Sequence, residues 1–138
     1  MIIDNVADLI IGAWVYNSFN EKPERVAEIR GQSVMLDYND LYDLADGEIE
    51  GIPIDLEILK KNGFIIAGNT WTWSNESARI AVVFTDKVSV DIRSQVAKKD
   101  EKGRCDLITY ARDWCSEFCV HELQMAIKIC KINKDVIL

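Results

Sequence analysis

The chain has 138 residues, of which 49% are hydrophobic and 28% charged, with a formal net charge of −7. That length suits one domain or two very small ones, and the apolar share is enough for a real core. No apolar run approaches the roughly 20 residues of a membrane span. The opening MIIDNVADLIIG has acids inside its apolar run and no basic lead, unlike a signal peptide. The expectation is a cytoplasmic chain in which Cys105, Cys115, Cys119 and Cys130 stay reduced. The charge is uneven. Residues 1–52 hold three bases (Lys22, Arg25, Arg30) against eleven acids, whereas residues 53–138 hold thirteen bases and twelve acids. The acidic half should repel nucleic-acid phosphates and attract basic surfaces.

Taken in order, LIIGAWV (9–15), RVAEIR (25–30) and Val34-Met35-Leu36 read as short strands separated by a polar loop with Pro23 and by the turn Gly31-Gln32-Ser33. This looks like the start of a small SH3-like barrel. Residues 37–50 then carry six acids and no base. Asp37, Asp40, Asp43 and Asp46 recur every third residue, with Tyr38, Leu41, Tyr42 and Leu44 between them, and Glu48 and Glu50 follow. The stretch is no EF-hand, because no frame supplies both the glycine and the glutamate the loop needs. It reads either as a solvated acidic loop or irregular edge strand, or as a docking face with tyrosine anchors and acids aimed at a basic partner.

Residues 53–64 punctuate a short helix: Asp55 as N-cap, Lys60 and Lys61 in the last turn, Gly63 at C′, and Phe64 placed to pack on Leu59. Leu56 and Leu59 should face the core. A meander follows: a strand over 64–73 ending in Trp71 and Trp73, an apolar central strand over 78–84, an alternating strand over 88–93, and a last strand over 105–112. Trp71 and Trp73, on one face, read as core or sheet cover.

Ser116 to Ile132 reads as a long helix covering that sheet, with Ser116 as N-cap and Asn133 as αL stop. On a wheel, Glu117, His121, Gln124, Lys128 and Lys131 form one polar stripe and nearly everything else is apolar. His121, Gln124 and Lys128 form a secondary contact stripe for a partner. Glu122 breaks the apolar arc and must be paired (with Arg79, Arg93, Arg112 or backbone), protonated or at a rim.

The chemistry of catalysis finds little footing. His121 is the single histidine, and no second carboxylate is placed to work with Glu122. Cys115, Cys119, His121 and Cys130 are suitable zinc ligand types, but within one helix Cys119 and His121 stand about 160° apart, so these thiols read as core residues. No glycine-rich phosphate loop is present. The expectation is therefore no catalytic residue, no metal and no cofactor.

Two blocks resemble a known group. Ile52-Pro53-Ile54-Asp55-Leu56-Glu57-Ile58-Leu59-Lys60-Lys61-Asn62-Gly63-Phe64 is similar to an I-P-I/L-(T/D)-x-E-x-L-x-K-x-G-F block, and Val120-His121-Glu122-Leu123-Gln124 to a V-H-Q-L-Q block. With Ile11-Gly12-Ala13-Trp14-Val15 matching an early I-G-x-x-V strand, the chain resembles small proteins of phages and mobile elements in Bacteroidota. It departs at Glu122, where that block has Gln, and in its ending. The resemblance implies no known enzyme activity. It implies instead phage–host biology in a bacterial cytoplasm, where small acidic proteins bind host machinery.

The sequence therefore predicts an α+β protein. An acidic SH3-like β unit over 1–52 precedes residues 53–138, where a short helix leads to a four-stranded antiparallel meander covered by a long C-terminal helix. The expected function is non-enzymatic interaction: binding a basic surface on a host protein or ribonucleoprotein, such as a CRISPR nuclease, through Asp37, Tyr38, Asp40, Tyr42, Asp43, Asp46, Glu48 and Glu50. The alternative is a nucleic-acid-binding accessory protein using Lys98, Lys99, Lys102, Arg104, Lys128 and Lys131.

Overall fold

The structure, a computed structural model, describes residues 1–37, 40–99, 102 and 105–138, with the side chains of 96–99, 105 and 106 excluded. The chain forms two compact units: Met1–Ile54 with Cys119–Met125, and Asp55–Phe118 with Ala126–Leu138. Each contains one five-stranded antiparallel sheet.

In the first unit, β1 (Trp14–Asn17), β2 (Lys22–Arg30), β3 (Ser33–Leu36), β4 (Leu41–Asp43) and β5 (Ile49–Glu50) lie in the order β4-β3-β2-β1-β5. Alternation turns Val15 inward from β1 and Val34 and Leu36 inward from β3. They join Ile3, Leu9, Ala13, Val26, Tyr42, Leu44 and Ile49 in one core. The β2–β3 register slips between Val26 and Glu28, a bulge that bends β2. A 3-10 turn at Leu44–Asp46 links β4 to β5, with the Asp43 side chain accepting from the Ala45 N–H and Gly47 (φ 71°) closing it.

In the second unit, α1 (Leu56–Lys61) precedes β6 (Ile65–Ala67), β7 (Thr70–Ser74), β8 (Ala78–Phe84), β9 (Val88–Lys99) and β10 (Cys105–Cys115), a sequential meander with β6 and β10 at its edges. α1 is punctuated as its residues dictate. The Asp55 carboxylate accepts from the Ile58 N–H at 2.8 Å. Gly63 (φ 83°) donates to the Lys60 carbonyl and Phe64 to the Leu59 carbonyl, the paired bonds of a Schellman stop. Leu59 is buried, but Leu56 is exposed.

α2 (Val120–Ile129) is the one substantial helix among the described residues, and it corrects the expected architecture. There is no four-stranded meander under a long C-terminal helix, and the α+β layout with an SH3-like unit gives way to a mostly β protein with two five-stranded sheets. Two local causes account for the difference. Gly68-Asn69, with Gly68 at φ 65°, folds the stretch read as one strand over 64–73 into the β6–β7 hairpin; glycine at the first position of a two-residue loop is the II′ arrangement. And β10 runs on to Cys115, after which Cys119 forms an antiparallel bridge with Pro53 and the Val120 N–H donates to the Ile52 carbonyl. A strand that runs to Cys115 and a bridge at Cys119 leave the helix to start at Val120 rather than after Ser116. The helix also ends early. Lys131, not Asn133, is the αL residue (φ 55°), with its N–H on the Lys128 carbonyl and the Ile132 N–H on that of Ile127.

Glu122 loses its anomaly once the helix starts at Val120. It is the third helical residue, and its carboxylate accepts from the Cys119 N–H at 3.1 Å, the return bond of a capping box. The backbone supplies a partner for which the sequence also offered three arginines.

Candidate interaction surface

The acidic segment is not one loop. Asp37, at φ 46°, closes the end of the β2–β3 ladder: its carboxylate accepts from the Arg25 N–H and its own N–H donates to the Arg25 carbonyl, both at 2.9 Å. Asp43 caps the 3-10 turn. These two acids have structural work, which a threefold spacing could not distinguish from display. Asp40 and Asp46 are exposed, and Glu48 and Glu50 are half-buried. Tyr42 is buried in the core, with its hydroxyl accepting from Asn20 Nδ2 at 3.2 Å, so it is no exposed anchor. Tyr38 lies outside the described residues.

The bases of this region are occupied elsewhere. Lys22 pairs with Glu24 and Arg30 with Glu28. Arg25 lies over the Trp14 ring at 4.7 Å and donates to the Gly12 carbonyl. Among the described residues no base pairs with Asp40, Asp46, Glu48 or Glu50. The Glu28 carboxyl is held below its usual range by its hydrogen bond from Arg30, which also pushes the guanidinium upward.

Beneath this surface lies a polar hub that the sequence reading missed. Glu24, 1% exposed, accepts from buried Asn17 Nδ2 at 2.9 Å and from Asn20 Nδ2 at 3.2 Å, and meets Lys22 Nζ at 3.4 Å. The side-chain Oδ1 of Asn17 accepts from the N–H groups of Phe19 and Asn20, which fixes the β1–β2 turn. That turn holds Phe19 70% exposed, with its ring centroid 6.5 Å from that of Tyr42. The aromatic presented to solvent is thus Phe19 rather than Tyr42. A phenylalanine among Asn17, Ser18 and Asn20 was the available signal, since a polar turn has no core of its own to bury it.

The helical stripe is divided in its exposure. His121 is 1% exposed and Gln124 is 7% exposed, while Lys128 is exposed. His121 is close-packed: a Cβ at Gly51 would stand 2.9 Å from its Cε1 and 2.6 Å from Cys119 Sγ. Gln124 accepts from the Trp14 N–H at 2.8 Å and donates to the Gly12 carbonyl at 3.0 Å, standing in for backbone beside β1. Polarity on a wheel signalled hydrogen bonding here rather than exposure. Cys119, lying before the helix, approaches Gly51 together with His121, which the wheel had kept apart. Among the described residues no three His, Cys, Asp or Glu side chains gather as metal ligands. Of the bases named for nucleic acid, Lys102 and Lys131 are exposed, the side chains of Lys98 and Lys99 lie outside the described set, and so does Arg104.

No protein-family model matches the chain, and neither a curated protein nor a solved structure resembles it at a significant level. No helix among the described residues is long and apolar enough to cross a membrane.

Proposed function

We propose that the chain is a binding protein rather than an enzyme, and that its first unit docks on a basic protein surface. One observation carries this reading: Asp40, Asp46, Glu48 and Glu50 carry negative charge that no base in the described structure neutralises. Desolvating such charges is favourable only against complementary ones. Phe19, held out on a turn that Glu24 and Asn17 fix, supplies the aromatic anchor that interface centres favour. The basic channel by which a host nucleoprotein holds its nucleic acid is a surface of the required sign. In the phage or mobile-element setting that the sequence blocks resemble, a host defence nuclease is the partner class of choice.

The test is affinity capture from bacterial lysate with the wild-type chain and an Asp40→Asn, Asp46→Asn, Glu48→Gln variant. Capture of a basic protein should weaken about tenfold in the variant and should fall between roughly 0.1 M and 1 M salt, as the Debye length drops from about 10 Å to about 3 Å. Capture that is equal for both proteins and insensitive to salt would contradict the proposal.

A further inference from the structure

The two sheets end differently. At β6 the second sheet presents Ile65, Ile66 and Ala67, all exposed, with Ile65 75% and Ile66 51% accessible. Strand edges are normally guarded by charge, proline, a bulge or a covering element, because a bare edge pairs with another strand. Among the described residues none of these guards is seen at β6. Residues 62–75, which span the whole β6–β7 hairpin, contain no Asp, Glu, Lys, Arg, His or Pro, and the β6–β7 register runs without a bulge.

The hairpin register identifies the free groups. Ala67 and Thr70 flank a two-residue loop and form the hydrogen-bonded pair that closes it. Hydrogen-bonded and non-hydrogen-bonded pairs alternate in an antiparallel ladder. Ile65↔Thr72 is therefore the next bonded pair, and Ile66↔Trp71 lies between them. The N–H and C=O of Ile66 point away from β7, toward the open edge.

We propose that β6 is a homodimer interface. Two copies pair β6 to β6 antiparallel about a two-fold axis through Ile66, which joins two five-stranded sheets into one of ten strands. The two Ile66 residues exchange both N–H···O bonds, and Ile65 and Ile66 of each copy cover opposite faces of the junction. Charge selects a second copy over a charged partner. The uncharged hairpin has nothing to offer a charge that would have to be desolvated against it. The same uncharged edge on another copy meets it without that cost. The unit that bears β6 has thirteen bases and eleven acids, whereas the first unit has three bases and twelve acids and repels its own kind. Pairing about a two-fold closes, so assembly stops at two.

The experiment is the mass of the full chain in solution by sedimentation or light scattering across a concentration series, for wild type and for Ile66→Lys. Wild type should approach twice the 15.7 kDa chain mass, and Ile66→Lys should remain at the single-chain mass with an unchanged circular dichroism spectrum. Exchange of the Ile66 amide in wild type should slow as concentration rises, a readout that needs no variant. A wild type that stays monomeric with a concentration-independent Ile66 amide, a dimer that survives Ile66→Lys, or open-ended assemblies would each overturn the proposal.

Discussion

The molecule builds the same element twice, an antiparallel sheet of five strands, and finishes the two in opposite ways. The first sheet is stiffened by a buried carboxylate and its amides and ends at β4 in a strand flanked by Asp40 and closed by Asp43. The second has the apolar central strand β8 and ends at β6 without a single charge. A charged edge discourages pairing with like strands and favours a partner of opposite sign; a neutral edge does the reverse. The two proposed recognition surfaces thus differ in chemistry, and each can be perturbed separately.

The largest expected effect is at the polar hub. Glu24→Ala leaves Asn17 and Asn20 without their buried acceptor and should cost about 3 kcal/mol of stability. Arg79, exposed on the second sheet, should tolerate alanine within about 0.5 kcal/mol. Urea denaturation of both variants measures the contrast. Equal, small losses would show that the first sheet does not depend on its buried carboxylate.

Gln124→Leu comes next. It keeps the side-chain volume but removes the groups that serve the Trp14 N–H and the Gly12 carbonyl. The loss should be about 2 kcal/mol, with faster amide exchange at Trp14. A neutral result would mean that β1 does not need the helix's amide.

The smallest effect is a pH dependence in the second unit. Burial lowers the pKa of the Lys134 ammonium, an effect that Asp135 partly offsets, while its Nζ sits 4.8 Å from the Trp73 ring centroid and donates to the Asn62 carbonyl at 2.9 Å. With the folded value below the unfolded one, the unfolded chain holds more protons in the window between them, so stability rises as pH climbs through that window. Lys134→Met should flatten this alkaline rise in a thermal-melt series. A slope unchanged by the substitution would assign it to another group.

Local chemistry was legible wherever a signal and its structural partner lie close in the chain. Asp55, Gly63 and Phe64 specify α1 at both ends because caps act within one turn. Val90 and Ile92 alternate inward in β9 because a strand has a period of two. Legibility failed where distant backbone intervened. The start of α2 depends on Ile52 and Pro53, 67 and 66 residues before Cys119, and no wheel contains them. The Gly68-Asn69 turn was a local signal overlooked within an apolar run. At the candidate surface, sequence located the acids but not their duties: Asp37 and Asp43 hold backbone, Tyr42 is core, and the exposed ring is Phe19.

The central claim, that the first unit's acidic face is the docking surface, is tested most directly by titrating a Lys/Arg-rich peptide against the isotope-labelled chain and mapping amide shifts. The account predicts shifts concentrated at Ser18–Glu21 and Asp40–Glu48, fading as salt rises. Shifts spread evenly over the acids of both units, or centred away from Phe19 and Asp46, would contradict it.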